Sequence, residues 1–337
     1  MDVGDKRQRR ECCMRKGFRR FGTSGFFIPF ILLLPYVCTI VLNGPDKALL
    51  LHSPGVEELV PLVLVAQLKG DYEDETVKAQ AVIARSEVYR RLGAGESEGE
   101  ILNEISEENT EGRASEEITM ISENKTALRE RVEKVNAGRT FWPGDRTAFC
   151  GKIGFGKLLG MADKLQQYGV AAEATAGQVL TYNGELKLVP YHEVSSGKTR
   201  DGEEVFHSAE YAYLKSVDSS QDKESPAYVN STYVAASQLP AKLVIKKRDS
   251  AGYITALTAD GSWIEGETFR QGMHLASADF SVQKVGKMVR FLCKGKGHGL
   301  GFSQYGGNEM AKEGGRWEEI LAAYFPEMEV TEVESLK

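Results

Sequence analysis

Ten residues near the C-terminus, 297–306, read Gly-His-Gly-Leu-Gly-Phe-Ser-Gln-Tyr-Gly. His298, Ser303, Gln304 and Tyr305 supply the donors and acceptors that a sugar hydroxyl needs. The glycines between them let the backbone reach positive φ and let a ligand come close. The competing reading is a tight strand-to-helix turn around a hydrogen-bonded histidine. A second polar cluster, His192, Ser195, Ser196, Lys198 and Thr199, follows a β-rich run. Short hydroxyls, a glycine and a lysine just past a strand form a loop that can cradle a ligand's oxygens. His192 is alternatively a strand-end histidine bonded to a nearby carbonyl. Lys78 and Arg85 lie one heptad apart, so on a helix they share one edge. They either snorkel at the rim of a core or face a ligand cleft.

Several elements must position these groups. A strand over 289–292 enters the C-terminal loop. A short helix over 308–313 leaves it and is closed by Gly314 and Gly315. Trp317, Ile320, Leu321 and Tyr324 then repeat with helical spacing until Pro326. Val77, Ala81, Ala84, Val88 and Leu92 mark the buried stripe of a helix over 74–92. Residues 59–68 are apolar and β-leaning, which predicts a strand followed by a turn at Lys69-Gly70-Asp71. Asn183-Gly184 between β-rich runs at 179–182 and 186–191 predicts a hairpin. Residues 155–168 and 170–176 read as two helices, and 234–238, 243–246, 253–258 and 280–285 as further strand or short-helix material. The pattern is α+β.

The chain has 337 residues, 42% of them apolar, enough for a substantial core. Residues 1–20 carry eight Lys and Arg against three acidic residues, while the whole chain has a net charge of −6. A nucleic-acid binder would place its positive charge on the folded part, so no nucleic-acid partner is expected. Residues 26–42 form a 17-residue run without charge, reaching roughly 25 Å as a helix. With the basic flank inside, this predicts a basic cytoplasmic tail (1–25), a transmembrane signal anchor (26–42) and an extracytoplasmic remainder. A cleaved signal peptide is the alternative, but no small-residue cleavage site follows the run. Residues 43–55 read as a linker, 56–330 as one domain and 331–337 as a tail. Residues 93–138, with ten glutamates between Glu96 and Glu123, read as an acidic, partly helical insertion on the surface. Phe141 and Trp142 either stack on sugar rings or pack at a core edge. Cys150 and Cys293 permit a disulfide without requiring one. No Cys-x-x-Cys spacing calls for zinc, so neither metal nor cofactor is expected.

The stretch from Gly297 to Val330 resembles the C-terminal signature of the stage II sporulation protein D family, whose domain is shared with amidase-enhancer proteins. Residues 64–89 and 176–206 match in the same order, so the resemblance spans roughly 56–330. It implies a lytic transglycosylase that cuts between N-acetylmuramic acid and N-acetylglucosamine in stem-peptide-free glycan strands of peptidoglycan during engulfment. The site residues it implies are Lys78, Arg85, His192, Ser195, Ser196, Lys198, Thr199, His298, Ser303, Gln304 and Tyr305. It further implies a mother-cell membrane location and two partners, a muropeptide amidase and a stimulatory membrane protein. Some family members bind zinc through a middle His/Cys cluster that this chain lacks. Ser196 stands where the family has a glycine. At position 67 the family has its general-acid glutamate, eight residues before the match to Glu75 and eleven before Lys78; this chain has Gln67. An amide has no proton to transfer near neutral pH. Either the protein binds glycan with weak or absent cleavage, or the acid has moved, with Asp71, Glu73 and Glu75 nearest in sequence. A non-catalytic scaffold subunit and an amidase enhancer outside sporulation are the rival classes.

Overall fold

The computed structural model describes residues 55–101 and 155–336. Its elements are α1 (Val56–Gln67), α2 (Asp74–Gly93), α3 (Phe155–Ala174), β1 (Gln178–Thr181), β2 (Tyr191–His192) and α4 (Gly202–Phe206). There follow β3 (Val229–Ala235), β4 (Leu243–Arg248), β5 (Ile254–Ala259), β6 (Ser262–Glu265), α5 (Gly266–Gly272), β7 (Phe280–Val285) and β8 (Met288–Lys294). The chain closes with β9 (Phe302–Ser303), α6 (Gln304–Lys312), α7 (Trp317–Tyr324) and β10 (Glu329–Glu332). The architecture is mixed α+β with small sheets, as the sequence pattern predicts.

The segment predicted as a strand at 59–68 is instead α1. Its buried residues, Leu59, Val60, Val63, Leu64 and Gln67, recur at helical spacing. Glu57 and Glu58 sit in its first turn, where negative charge meets the positive end of the helix dipole. The β-branched content yields because this face buries itself against α2 and α3. Pro61 lies within the helix and, lacking an N–H, leaves the Glu57 carbonyl without a helical donor.

Helix α2 is the element around which the helical part is built. Val77, Ala81, Ala84 and Val88 pack with α1 and α3, as their spacing predicts. Ala79, Val82 and Ile83 pack in a second core with Leu180, Phe302, Ile320, Leu321 and Tyr324. A helix buried on two sides shows no single apolar stripe, and alanines let its neighbours approach closely. Asn308 of α6 closes the start of α2, its Oδ1 accepting from Glu73 N (2.8 Å) and Thr76 Oγ1 (3.3 Å). Glu75 Oε2 in turn accepts from Trp317 N at the start of α7 (2.9 Å).

Asn183 and Gly184 take positive φ, and Tyr182 and Glu185 exchange backbone hydrogen bonds around them. The tight turn is therefore present, but its second arm is no strand partner. β1 pairs antiparallel with the C-terminal β10, from Gln178↔Glu332 to Thr181↔Glu329. The two helices expected over 155–176 are one continuous α3. Residues 229–294 form two three-stranded sheets, β3-β8-β7 and β4-β5-β6, sharing a core of Val234, Ile254, Leu257, Phe269, Phe280 and Phe291.

Among the described residues no helix is long and apolar enough to cross a membrane. The run at 26–42, the basic tail, most of the linker and acidic insertion, the 141–144 turn and Cys150 all lie outside the described residues. Cys293 is buried and free.

Candidate functional site

Two loops far apart in sequence are joined by a two-residue parallel pairing, Tyr191↔Phe302 and His192↔Ser303. Val194 and Lys296 exchange both backbone hydrogen bonds, and Arg200 N donates to Gly299 O (2.8 Å). This close zippering explains the glycines. Gly297 has φ of 110°, and a Cβ there would sit 2.7 Å from the Cβ of His192. Gly301 has φ of 65°, and a Cβ would collide with the Pro190 carbonyl. The crowding comes from protein neighbours, so the glycines serve loop-to-loop contact. Ser196 does not have positive φ; the left-handed residue is Gly197, so serine is accommodated without strain.

The pairing brings His192 and His298 edge to face, ring centroids 5.7 Å apart. Leu300 fixes both rings. Its carbonyl lies 3.0 Å from His192 Nδ1, and its N–H donates to His298 Nδ1 (3.1 Å). The proton is therefore assigned to Nδ1 of His192 and to Nε2 of His298, opposite tautomers held by one residue. His192 Nε2 is buried without a hydrogen-bond partner. Burial lowers the His192 pKa to about 4 against the opposing hydrogen bond to Leu300. Burial, then repulsion from a protonated His192 ring and from the charges of Arg270 and Arg200, pushes His298 in the same direction. Both rings are neutral at pH 7.

Beneath the loops lies Asp222, which the sequence reading missed. It is fully buried in the 3-10 turn Ser220–Glu224 and accepts from Ser195 N (2.8 Å), Ser219 Oγ (3.0 Å) and Ser303 Oγ (2.9 Å). Burial raises its pKa, and the bonds from Ser195, Ser303 and Ser219 oppose the rise. Ser303 Oγ also accepts from Gly306 N and so caps α6. One carboxylate thus binds the first histidine loop to the second. In sequence it stands in a Ser-Ser-Gln-Asp turn with nothing to set it apart.

Gln304 carries the cluster to the end of α1. Its Nε2 donates to Gln67 O (3.2 Å) and Gln80 Oε1 (3.3 Å), and Gln80 Nε2 donates to Gln67 Oε1 (2.7 Å). The three glutamines form a directed, buried chain that ends on the side chain of Gln67. Gln80 was also missed; its one sequence signal is an amide inside an otherwise apolar stretch of α2.

Of the residues singled out from sequence, Gln67, His192, Ser195, His298, Ser303 and Gln304 form one contiguous, buried cluster. As the protein stands, these buried side chains hold the loops together rather than face solvent. Ser196 and Tyr305 are half-buried and Lys198 is exposed. Thr199 is buried, bonded to Val217 and Ser216. Arg85 is a correction. It is fully buried, and all five of its donors are taken, by Glu57 twice, Thr175, Ala172 O and Gln178 O. It ties α1, α2 and the end of α3 together and faces no cleft. Lys78 pairs with Glu75 at 2.6 Å. It is two positions from Gln80, about 200° around the helix, so it points away from the glutamine chain. Among the described residues, no three His, Cys, Asp or Glu side chains are grouped to hold a metal ion.

Known proteins resemble this chain along most of its length. The model of the stage II sporulation protein family matches residues 47–182. Stage II sporulation protein D of Bacillus amyloliquefaciens is 26% identical over 295 residues, covering 83% of this chain and 75% of that protein. Stage II sporulation protein D of Bacillus subtilis (strain 168) is 27% identical over 291 residues with the same coverage. The chain is thus similar to stage II sporulation protein D over most of its length, and its residues 47–182 match the model of that family.

Proposed function

We propose that this chain is a sporulation protein that grips stem-peptide-free glycan strands of peptidoglycan during engulfment, with cleavage weak or absent. The observation that carries this reading is the side chain at position 67. A lytic transglycosylase needs one carboxyl. It protonates the glycosidic oxygen as the bond to C1 of the muramic residue breaks. It then takes the proton of that sugar's C6 hydroxyl as the oxygen closes onto C1, giving a 1,6-anhydro ring. Gln67 can accept and donate hydrogen bonds but cannot give up a proton. Its oxygen is held by Gln80 at 2.7 Å. Loss of a general acid costs on the order of 10²- to 10⁴-fold in rate.

Glu75 is a poor substitute acid. Burial favours its protonated form, but the hydrogen bonds from Lys78 and Trp317 N–H and the charges of Lys78 and Arg316 outweigh that and lower its pKa. It is ionised near neutrality and occupied with α7. The side chain of Asp71 is 98% exposed beside Lys164 (3.1 Å), a solvated ion pair. On this proposal the run at 26–42 anchors the protein in the mother-cell membrane, its main domain outside. There it works with an amidase that strips stem peptides and a membrane protein that stimulates the machinery.

The test is incubation of the full-length protein, purified in mild detergent, with stem-peptide-free strands. The expected result is co-sedimentation with the strands and no anhydro-muramyl product by mass spectrometry. Robust turnover overturns the weak-cleavage reading, and failure to bind any strand overturns the glycan reading itself.

A further inference from the structure

The net charge of the chain conceals a basic region in its folded part. Residues 226–300 contain ten Lys and Arg against five Asp and Glu, in a chain whose overall charge is −6. Two of the five acids, Asp249 and Glu267, are buried beside Arg200. A third, Asp279, pairs with Arg248 at 2.9 Å. Lys242, Lys246, Lys247, Lys284, Lys287 and Lys294 are exposed.

The sheet β3-β8-β7 has one face in the core, through Val234, Phe280, Phe291 and Cys293. Alternation along the strands puts Tyr233, Arg290 and Gln283 on the opposite face. The register makes Tyr233 and Gln283 the two cross-strand partners of Arg290. With strands about 4.8 Å apart, this row crosses the sheet over roughly 10 Å. Tyr233 is 53% exposed. The Arg290 guanidinium sits 6.0 Å from the Tyr233 ring centroid and is steadied by Ser231 Oγ, which accepts from Nε (3.1 Å) and Nη2 (2.8 Å). Val229 opposes Lys294, and Met288 opposes Val285, on the same outer face.

We infer that this outer face is a second, non-catalytic platform for a glycan strand stripped of its stem peptides. The inference rests on the glycan-binding reading above. The chemistry matches on three counts. An exposed tyrosine ring stacks on the apolar face of a pyranose. A pre-oriented arginine and a neighbouring amide hydrogen-bond hydroxyls and carboxylate. Removal of a stem peptide frees one lactyl carboxylate on each muramic residue, so the stripped strand is a polyanion that complements Arg290, with Lys294 on the same face and Lys287 in the β7–β8 turn. A strand still bearing its peptides lacks that carboxylate at each substituted residue. Its negative charge sits instead on the peptide arms, away from the ring that the tyrosine stacks, so the platform favours strands whose carboxylates lie beside the sugar.

The experiment measures binding of the full-length protein to stripped strands, to strands with stem peptides and to phosphatidylglycerol vesicles at several salt concentrations. The variants are Tyr233→Ala with Arg290→Gln, and separately Lys287→Gln and Lys294→Gln combined; Tyr233, Lys287 and Lys294 are exposed and Arg290 is half-buried, so melting temperatures should hold. Expected are preference for stripped strands, weakening with salt, about a tenfold loss for the tyrosine–arginine variant and a reduced salt dependence for the lysine variant. Binding unchanged in both variants overturns the platform and leaves the glycan reading standing. Equal binding to peptide-bearing strands, or binding to vesicles alone, also overturns it. A wild-type protein that binds no strand overturns the functional reading beneath it.

Discussion

Replacing Gln67 with glutamate tests whether only the proton donor is missing. The substitution is nearly isosteric and keeps the oxygen that accepts from Gln80 Nε2 at 2.7 Å. That bond becomes charge-assisted, worth about 1.5–3 kcal/mol against about 1 kcal/mol for a neutral one. Position 67 is only 8% exposed, and burial opposes ionisation. The two effects offset one another, so the variant should lose no more than about 2 kcal/mol of stability. A restored general acid is worth on the order of 10²- to 10⁴-fold in turnover, about 3–5 kcal/mol of barrier. The assay is release of anhydro-muramyl products from stripped strands, followed by mass spectrometry across pH. Activity should fall as pH rises past the new carboxyl's pKa, because only the protonated form can donate. Adding Gln80→Leu removes a donor to the carboxylate, which raises that pKa and moves the falling limb to higher pH. A Gln67→Glu protein that melts normally and binds strands but releases no product refutes the reasoning.

Two further outcomes follow from the buried groups. Arg85→Ala should cost about 3–5 kcal/mol in chemical denaturation, because it strands Thr175 and two carbonyls, while strand binding per folded molecule stays unchanged. The neutral burial of His192 predicts a pH effect of definite sign. Its folded pKa of about 4 lies below the unfolded value near 6.5, so the unfolded chain takes up the proton first. Stability is complete above pH about 6.5 and falls by about 3 kcal/mol as pH drops to 4. Comparing denaturation midpoints with a His192→Gln variant checks it: the variant's slope over that window should be visibly shallower, and an unchanged slope counts against a buried neutral ring.

Local signals were legible where spacing or turn chemistry acts over a few residues. The α7 period of Trp317, Ile320, Leu321 and Tyr324, the α2 stripe and the Asn183-Gly184 turn are set by spacing and backbone preference, which act over a few residues. The sequence likewise determined the absence of a carboxyl at position 67, since no fold changes a side chain's chemistry. Long-range packing decided the rest. It turned β-leaning residues 59–68 into α1, because a helical face there covers two other helices. It paired β1 with β10 across 148 to 154 residues of chain, which no local pattern encodes. It spent Arg85 on five internal acceptors, and it put Asp222 and Gln80, anonymous in the sequence, at the joints between Gln67, His192 and His298. Which polar groups hold one another and which remain for a ligand depends on the partners that three dimensions bring within hydrogen-bonding distance, and spacing along the chain carries no record of them.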